Sequence, residues 1–379
     1  MEVTQITCAE VQGRMVADPA TVLLDVRESG EWELGHIPGA RHLPRSEIPG
    51  RVAEMIPDRA TAIICYCAHG VRSARAVETL HGLGYHQVTH MAGGFVAWED
   101  AQLPTVATAV LSDEERVRYQ RHITLPHVGA TGQVRLRQAR VLLVGAGGLG
   151  SPAALYLAAA GVGTLGIVDH DIVDPSNLQR QILHTTERIG AAKIESAQVT
   201  LRGLNPLVTI EPHHVRVTQK NAQSLCETYD IILDGSDNFP TRYLLNECAV
   251  TLRKPMVHGS VYRFEGQVTV FWPGRGPCYR CLYREAPPPA MAPSCAEAGV
   301  LGVLPGVIGL LQAVETIKLI LACGESLVGR LICYEALQAR FHELQVPRDP
   351  ACPTCKGLLQ ERSGDRCSPP ATIRGRSPR

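Results

Sequence analysis

Val141-Leu142-Leu143-Val144-Gly145-Ala146-Gly147-Gly148-Leu149-Gly150 is an apolar run that breaks into glycines. Val141 to Val144 show no polar alternation, so they read as a strand buried on both faces, as in a parallel sheet. Gly145, Gly147 and Gly150 have the G-x-G-x-x-G spacing, with Gly148 inside it. A helix rich in Ala and Leu follows. Such a turn aims backbone N–H groups at a phosphate seated on the helix N-terminus. The next strand, Gly161 to Val168, ends at Asp169, an acid placed for ribose hydroxyls. On these residues alone a dinucleotide dehydrogenase is the leading expectation.

The residues that follow favour a triphosphate. Asn177, Arg180, Gln181 and Lys193 add polar and cationic groups soon after Asp169, and Arg118 and Arg121 precede the strand. Ile231-Ile232-Leu233-Asp234-Gly235-Ser236-Asp237-Asn238 reads as a strand ending in two acids, a suitable place for Mg2+. Cations with a metal-binding acid suit an ATP tail and a leaving pyrophosphate, which hydride transfer does not require. For any one of these charges a solvated face is the plain alternative. It weakens when they gather at the ends of parallel strands.

Two Cys-x-x-Cys pairs, Cys278/Cys281 and Cys352/Cys355, stand far apart in this same region. Together they supply four thiolates for a closed tetrahedral zinc site, which is structural because it leaves no open position. Two unrelated redox pairs are the alternative.

Residues 1–104 carry a different pattern. Thr21 to Val26 and Thr61 to Tyr66 are buried strands, and a helix is expected over Ser73 to Leu83, with Gly82 and Gly84 at its stop. Alternating strands and helices predict a parallel α/β sheet. Cys67-Ala68-His69-Gly70-Val71-Arg72-Ser73 lies between the second strand and that helix. The helix dipole and inward N–H groups should lower the Cys67 pKa below the free value of about 8.5. Arg72 adds positive charge, so the loop suits a sulfur anion. Cys65 reads as a packed core thiol. Residues 105–111 read as a linker, 112–356 as a larger α/β domain, and 357–379, rich in Arg, Ser, Pro and Gly, as a disordered tail.

Residues 1–104 resemble the rhodanese family of sulfurtransferases. The resemblance rests on Leu24-Asp25-Val26-Arg27-Glu28, Gly35-His36-Ile37-Pro38-Gly39-Ala40, the Cys67 to Arg72 loop and Gly93-Gly94-Phe95-Val96-Ala97-Trp98. It implies that Cys67 carries sulfane sulfur as a persulfide. Phosphatases with a similar Cys-to-Arg loop are the competitor, but their spacing is longer than the four residues here. A docking module without sulfur transfer is a further alternative.

Residues 112–356 resemble the ThiF/MoeB-like adenylyltransferases that activate ubiquitin-like sulfur carriers for molybdopterin and thiazole synthesis. The matching stretches include Arg118-Tyr119-Gln120-Arg121, the glycine turn, Ser176 to Gln181, Gly266 to Phe271, both Cys-x-x-Cys pairs and Cys295 to Val300. This resemblance implies a Rossmann-like domain in which Gly147 and Asp169 hold ATP and Asn177, Arg180, Gln181 and Lys193 line its phosphates. It also implies that Asp237 holds Mg2+, that Arg121 reaches across a homodimer as an arginine finger, and that the four named cysteines bind structural zinc. Cys295 sits in a Pro-rich stretch, Glu285 to Ser294, expected to be a mobile loop. Its position forms an acyl link to the carrier in some family members and is dispensable in others. The implied partners are a carrier ending in Gly-Gly and a persulfide donor such as a cysteine desulfurase, or thiosulfate. The carrier and its pathway (molybdopterin, thiamine, tRNA thiolation or cysteine synthesis) stay open. In eukaryotic fusions of this kind the rhodanese domain comes last, whereas here it comes first.

The totals agree. Lys+Arg and Asp+Glu are both 37, so bulk charge points to neither nucleic acid nor membrane. The thirteen cysteines are odd in number and include four at metal spacing, and the start lacks signal-peptide regions, so a reducing cytoplasm is expected. The most apolar stretch, Gly299 to Cys323, is interrupted by Pro305, Gln312, Glu315 and Lys318 and reads as a buried helix.

Overall fold

The two apolar runs near residues 21–26 and 61–66 become the middle of the first sheet. The computed structural model describes residues 4–107, 109–288 and 298–358. Strands β1 (Gln5–Ile6), β2 (Val22–Asp25), β3 (Arg41–His42), β4 (Ile63–Tyr66) and β5 (Val88–Met91) pair in the order β1-β5-β4-β2-β3, every pair parallel. Alternate residues enter opposite cores, as a strand period of two requires. Leu23, Ile64 and Tyr66 join one cluster, while Val22, Leu24, Ile63 and Cys65 join the other. The helix after β4 runs Val71–Gly82, so it begins two residues before the expected start, at the loop that holds Cys67.

The stretch expected to be a linker is pinned down in its described part. Val106 and His36 exchange backbone hydrogen bonds of 2.8 and 2.9 Å, and the Ala109 N–H donates to the Glu33 carbonyl at 2.9 Å. Ala109 and Leu111 are buried with Tyr119, Ile123 and Ala130. A capping box at Ser112 and Glu115 then starts the helix Asp113–Arg118. By internal packing the chain divides into compact units at Met1–Val134 and Arg135–Arg379.

In the second unit, β6 (Arg140–Val144), β7 (Thr164–Val168), β8 (Thr209–His213), β9 (Ile231–Asp234), β10 (Met256–Tyr262), β11 (Glu265–Phe271), β12 (Arg330–Glu335) and β13 (Arg340–Gln345) form one sheet. Its order is β13-β12-β11-β10-β9-β6-β7-β8. The part from β8 to β10 is parallel, and β11 to β13 are added antiparallel. Chain order reverses at β6, which lies between β7 and β9. Open α/β sheets bind ligands outside the strand ends at such a switch point.

The apolar helix is Leu304–Leu321, and it packs on β10, β11 and the helix Gly150–Ala159. By length and composition it could cross a membrane, but 61% of it is buried within the protein. Its polar residues have internal partners: Gln312 Nε2 donates to the Asp234 and Val257 carbonyls at 2.8 and 3.1 Å, and Glu315 Oε2 accepts from the Leu327 N–H at 2.9 Å.

Gly166 on β7 has a packing role, because an added methyl would fall 2.3 Å from the Tyr229 ring and hydroxyl. That hydroxyl is committed to Glu211 at 2.6 Å and His213 at 2.7 Å. Gly166→Ala should cost about 1–3 kcal/mol through overpacking. Calorimetric unfolding checks this, and an unchanged Tm would contradict the packing described.

Candidate functional site

In the first unit the Cys67 sulfur sits where β4 gives way to a helix. Its Sγ accepts the Gly70 N–H at 3.2 Å, and Gly70 takes the left-handed φ of +93° that this loop requires. The loop is held from below by the Gly93–Gly94 turn. The Phe95 and Val96 N–H groups donate to the Cys67 and Ala68 carbonyls at 2.7 and 3.1 Å. A methyl on Gly94 would collide with the Cys67 carbonyl oxygen at 2.2 Å, which explains the paired glycines. Burial pushes the Cys67 thiol up. Hydrogen bonds from the Ser73 hydroxyl and the Ser73, His69 and Gly70 N–H groups outweigh it, so the net direction is down. Cys65, buried beside it, is pushed far up by desolvation. Arg72 spends its guanidinium on Glu31, with two bonds of 2.7 Å, and adds only long-range charge at Cys67.

The second unit holds a cleft of about 1540 Å3 at the switch point. Gly145, Gly147 and Gly148 form one wall, and Asp169, Arg180, Gln181, Lys193, Asp237 and Asn238 also line it. Asp169 Oδ2 accepts the Ala146 N–H of the glycine turn at 2.8 Å, and Oδ1 accepts the Asp171 N–H at 2.9 Å. Each oxygen retains acceptor capacity for a hydroxyl. Lys193 Nζ donates to Asp171 Oδ2 at 2.9 Å, so the ammonium is oriented by an acid the sequence did not single out. Burial raises the Asp171 carboxyl, but the Lys193 hydrogen bond and charge bring it below its usual range. Gln181 is buried, and among the described residues its Oε1 has no hydrogen-bond partner. His184, also missed, spans the Ala146 carbonyl at 2.9 Å and Ser196 Oγ at 3.0 Å, bracing the glycine turn.

The other expected residues lie as follows. Asn177 is on the short turn Pro175–Asn177 and bonds Ser176 Oγ at 3.2 Å; it is not among the cleft-lining residues. Asn238 caps the helix Phe239–Leu252 by accepting the Thr241 N–H at 3.0 Å. Asp237 is exposed beside it and accepts from Asn238 Nδ2 at 3.3 Å. A carboxylate open to a cleft fits Mg2+, which keeps waters and binds through one or two carboxylates plus substrate phosphates. Arg121 is exposed on the helix Gln120–Ile123 of the first unit. Cys295 and most of the expected mobile loop lie outside the described residues, as does nearly all of the expected disordered tail.

Away from the cleft chemistry, Cys278, Cys281, Cys352 and Cys355 converge with all sulfurs within 4.8 Å of one another. Measured edges are 3.5, 3.6 and 3.8 Å. Four sulfurs about 2.3 Å from zinc have tetrahedral edges of about 3.8 Å, so the cluster fits that ion; a disulfide at about 2.05 Å does not fit.

A model of the ThiF family matches residues 119–354. The chain belongs to the ThiF family. Ahead of that region this ThiF-family chain carries a rhodanese-like domain, matched over residues 7–101. It is 53% identical over 247 residues to the sulfur carrier protein adenylyltransferase of Thermus thermophilus, a match covering 64% of this chain and 91% of that protein. It is 51% identical over 255 residues to a Mycobacterium tuberculosis protein described as probable adenylyltransferase/sulfurtransferase MoeZ, covering 66% of this chain but 65% of that one. Among solved structures, Escherichia coli MccB shares the fold at a TM-score of 0.58 and 21% identity, over 68% of this chain and 77% of that one.

Two outcomes follow for this ThiF-family protein. Purified protein should carry one zinc per chain, and the four clustered thiols should resist titration until a chelator is added. Metal analysis without zinc, with all four thiols free, would contradict the site. Because the Cys67 pKa is lowered, its thiolate should persist below the usual thiol range, and alkylation should stay fast as pH falls through about 8.5. Ser73→Ala removes a donor and should move the inflection of the alkylation rate upward; an unmoved inflection would contradict the cradle.

Proposed function

We propose that this protein uses ATP to adenylate the C-terminal glycine of a ubiquitin-like sulfur carrier and then gives that carrier sulfur from a persulfide on Cys67. The observation that carries this is the pairing, in one chain, of a phosphate cleft with cations and an open carboxylate at its switch point and a cysteine whose anion is stabilised by a strand-to-helix loop. The names borne by the similar Thermus and Mycobacterium proteins support it.

In the first half-reaction Gly145, Gly147 and Gly148 let the phosphates approach the backbone, and Asp169 accepts from the ribose hydroxyls. Arg180, Gln181 and Lys193 face the phosphates, and Asn177 orients the turn beside them. A carrier carboxylate oxygen attacks the α-phosphorus, the α–β bridging P–O bond breaks, and pyrophosphate leaves with its charge. Asp237 would hold Mg2+, which supplies charge neutralisation at the phosphates when bound, and Asn238 keeps Asp237 at the helix start. Fixed charges aimed at the leaving oxygens are the main catalytic resource. The cleft continues past Tyr262, Tyr279, Tyr283 and Pro287, a path for a glycine-ended peptide.

In the second half-reaction the outer sulfur of the Cys67 persulfide attacks the acyl carbon, and AMP leaves with the C–O bond electrons. A dithiol or two thiols then supply the two electrons that reduce the resulting S–S bond. The first thiol attacks Cys67 Sγ and expels the carrier thiocarboxylate. The second attacks the mixed disulfide so formed, leaving as a disulfide and returning Cys67. Cys295 is one candidate for an intermediate acyl acceptor. Carrying both centres on one chain raises the effective concentration of sulfur donor near the adenylate. A homodimer in which Arg121 serves the partner's site, a cytoplasmic setting, and a cysteine desulfurase or thiosulfate as donor complete the proposal.

Three assays on one preparation test it: carrier-dependent ATP–pyrophosphate exchange, sulfur transfer from thiosulfate, and thiocarboxylate formation. Asp237→Ala should abolish exchange and spare thiosulfate transfer. Cys67→Ala should do the reverse and sharply reduce donor-dependent thiocarboxylate, with excess sulfide as a bypass. Undiminished donor-dependent thiocarboxylate in Cys67→Ala would make the first unit a docking module.

A further inference from the structure

Under the loop that bears Asp237 lies a polar cluster that the reaction above leaves unused. Asp234, the last residue of β9, is 0% exposed, and His258 on the neighbouring strand β10 is 1% exposed. His258 Nδ1 lies 2.7 Å from Asp234 Oδ2. An ionised carboxylate only accepts, so Nδ1 carries the proton and donates. Burial raises the Asp234 carboxyl, but the hydrogen bonds of His258 and Ser236 and the charge of Arg242 hold it below its usual range. Burial pushes the His258 imidazole down.

The remaining contacts all end on one short segment. Asp234 Oδ1 accepts both the N–H and the hydroxyl of Ser236, at 3.0 and 2.6 Å. Arg242 Nη2 donates to the Ser236 carbonyl at 3.1 Å, and its Nε stands 4.0 Å from Asp234 Oδ2. Gln312 Nε2 holds the Asp234 carbonyl at 2.8 Å. Gly235, Ser236 and Asp237 then line the cleft, with Gly235 against Gly145 of the glycine turn. A buried carboxylate of this kind contributes little net stability, because a well-packed apolar substitute often does as well. It does fix geometry, since both oxygens have prescribed donors.

We infer that His258 is a positioning residue: through Nδ1 it fixes the Asp234 carboxylate, and that carboxylate fixes the 235–237 loop against the nucleotide. This rests on the nucleotide assignment of the cleft. The rival role is direct contact, because the His258 ring also lines the cleft, and its bond to Asp234 uses Nδ1 and not Nε2.

Replacing single atoms separates the two roles. In His258→Asn the amide nitrogen can take the place of Nδ1, in His258→Gln that of Nε2, and His258→Phe removes both. Full-length variants are titrated with ATP and Mg2+ by calorimetry, and their unfolding is followed alongside. His258→Phe should weaken ATP binding about tenfold or more, the scale of a lost hydrogen bond to a buried charge. His258→Asn should return affinity towards wild type, and His258→Gln should not. Thiosulfate sulfur transfer at Cys67 should stay unchanged in all three. Rescue by Gln and not by Asn would overturn the proposal in favour of direct contact. Unaltered ATP affinity with only a lowered Tm would overturn it in favour of plain packing. Should the Phe variant not fold, the Asn and Gln pair decides alone. A wild-type protein that fails to bind ATP would refute the nucleotide assignment itself, before any variant is compared.

Discussion

The nucleotide cleft depends on a place where backbone meets backbone with no room for a side chain. Gly145 leaves β6 at a φ of +103°, and a methyl there would lie 2.7 Å from the Gly235 carbonyl oxygen at the end of β9. A methyl on Gly150 would fall 1.9 Å from the Gly145 oxygen. The first contact brings the turn and the β9 loop together at the switch point, and the second closes the turn on itself. The glycine turn and the segment that ends in Asp237 therefore line the cleft side by side. Asp169 ties back to the turn through Ala146, and His184 braces the same residue through its carbonyl. The charged groups can act on a phosphate because this backbone junction sets where the phosphate lies.

The first unit solves a related problem with the same device. Cys67 also follows a buried parallel strand and precedes a helix, and Gly94 lets a second loop close under it with no side chain between. Both junctions present N–H groups to an anion. In the proposed reaction one holds a diffusible phosphate, the other a sulfur bonded to the chain. An acyl-adenylate needs a nucleophile, and a persulfide is a strong one at neutral pH, so the two junctions are chemically complementary. The four-cysteine cluster serves neither reaction directly; it joins residues near 278 to residues near 355 within the second unit.

Much of this was legible in the sequence because it depends on spacing. The strand at 141–144, the glycine turn, Asp169, Cys67 and the sulfur quartet lie where periodicity and motif put them, whereas the strand expected to run from Ile231 to Asn238 stops at Asp234. Distances between strands were not legible. Asp171 was missed because its role appears only when Lys193, a full helix start away, folds back onto it. His258 sits in an apolar run, Met256 to Val261, where a lone histidine reads as a core residue, and only the pairing of β10 with β9 sets it beside Asp234. Arg72 was expected to serve Cys67, but Glu31, far off in sequence, claims its guanidinium. Residues 105–111 looked like a linker because their composition has no strand or helix period, although a single antiparallel bridge to His36 and two small apolar residues suffice to pin their described part.

The glycine turn and its ribose acid are shared by enzymes that bind dinucleotides and by those that bind ATP. The distinction rests on Arg180, Lys193 and Asp237, which have work to do only on a triphosphate. Calorimetric titration of the full-length protein with ATP and Mg2+, and separately with NAD, measures that distinction most directly. ATP should bind with a stoichiometry of one per chain and NAD should give no saturable heat. Saturable binding of NAD with none of ATP would contradict the account at its centre.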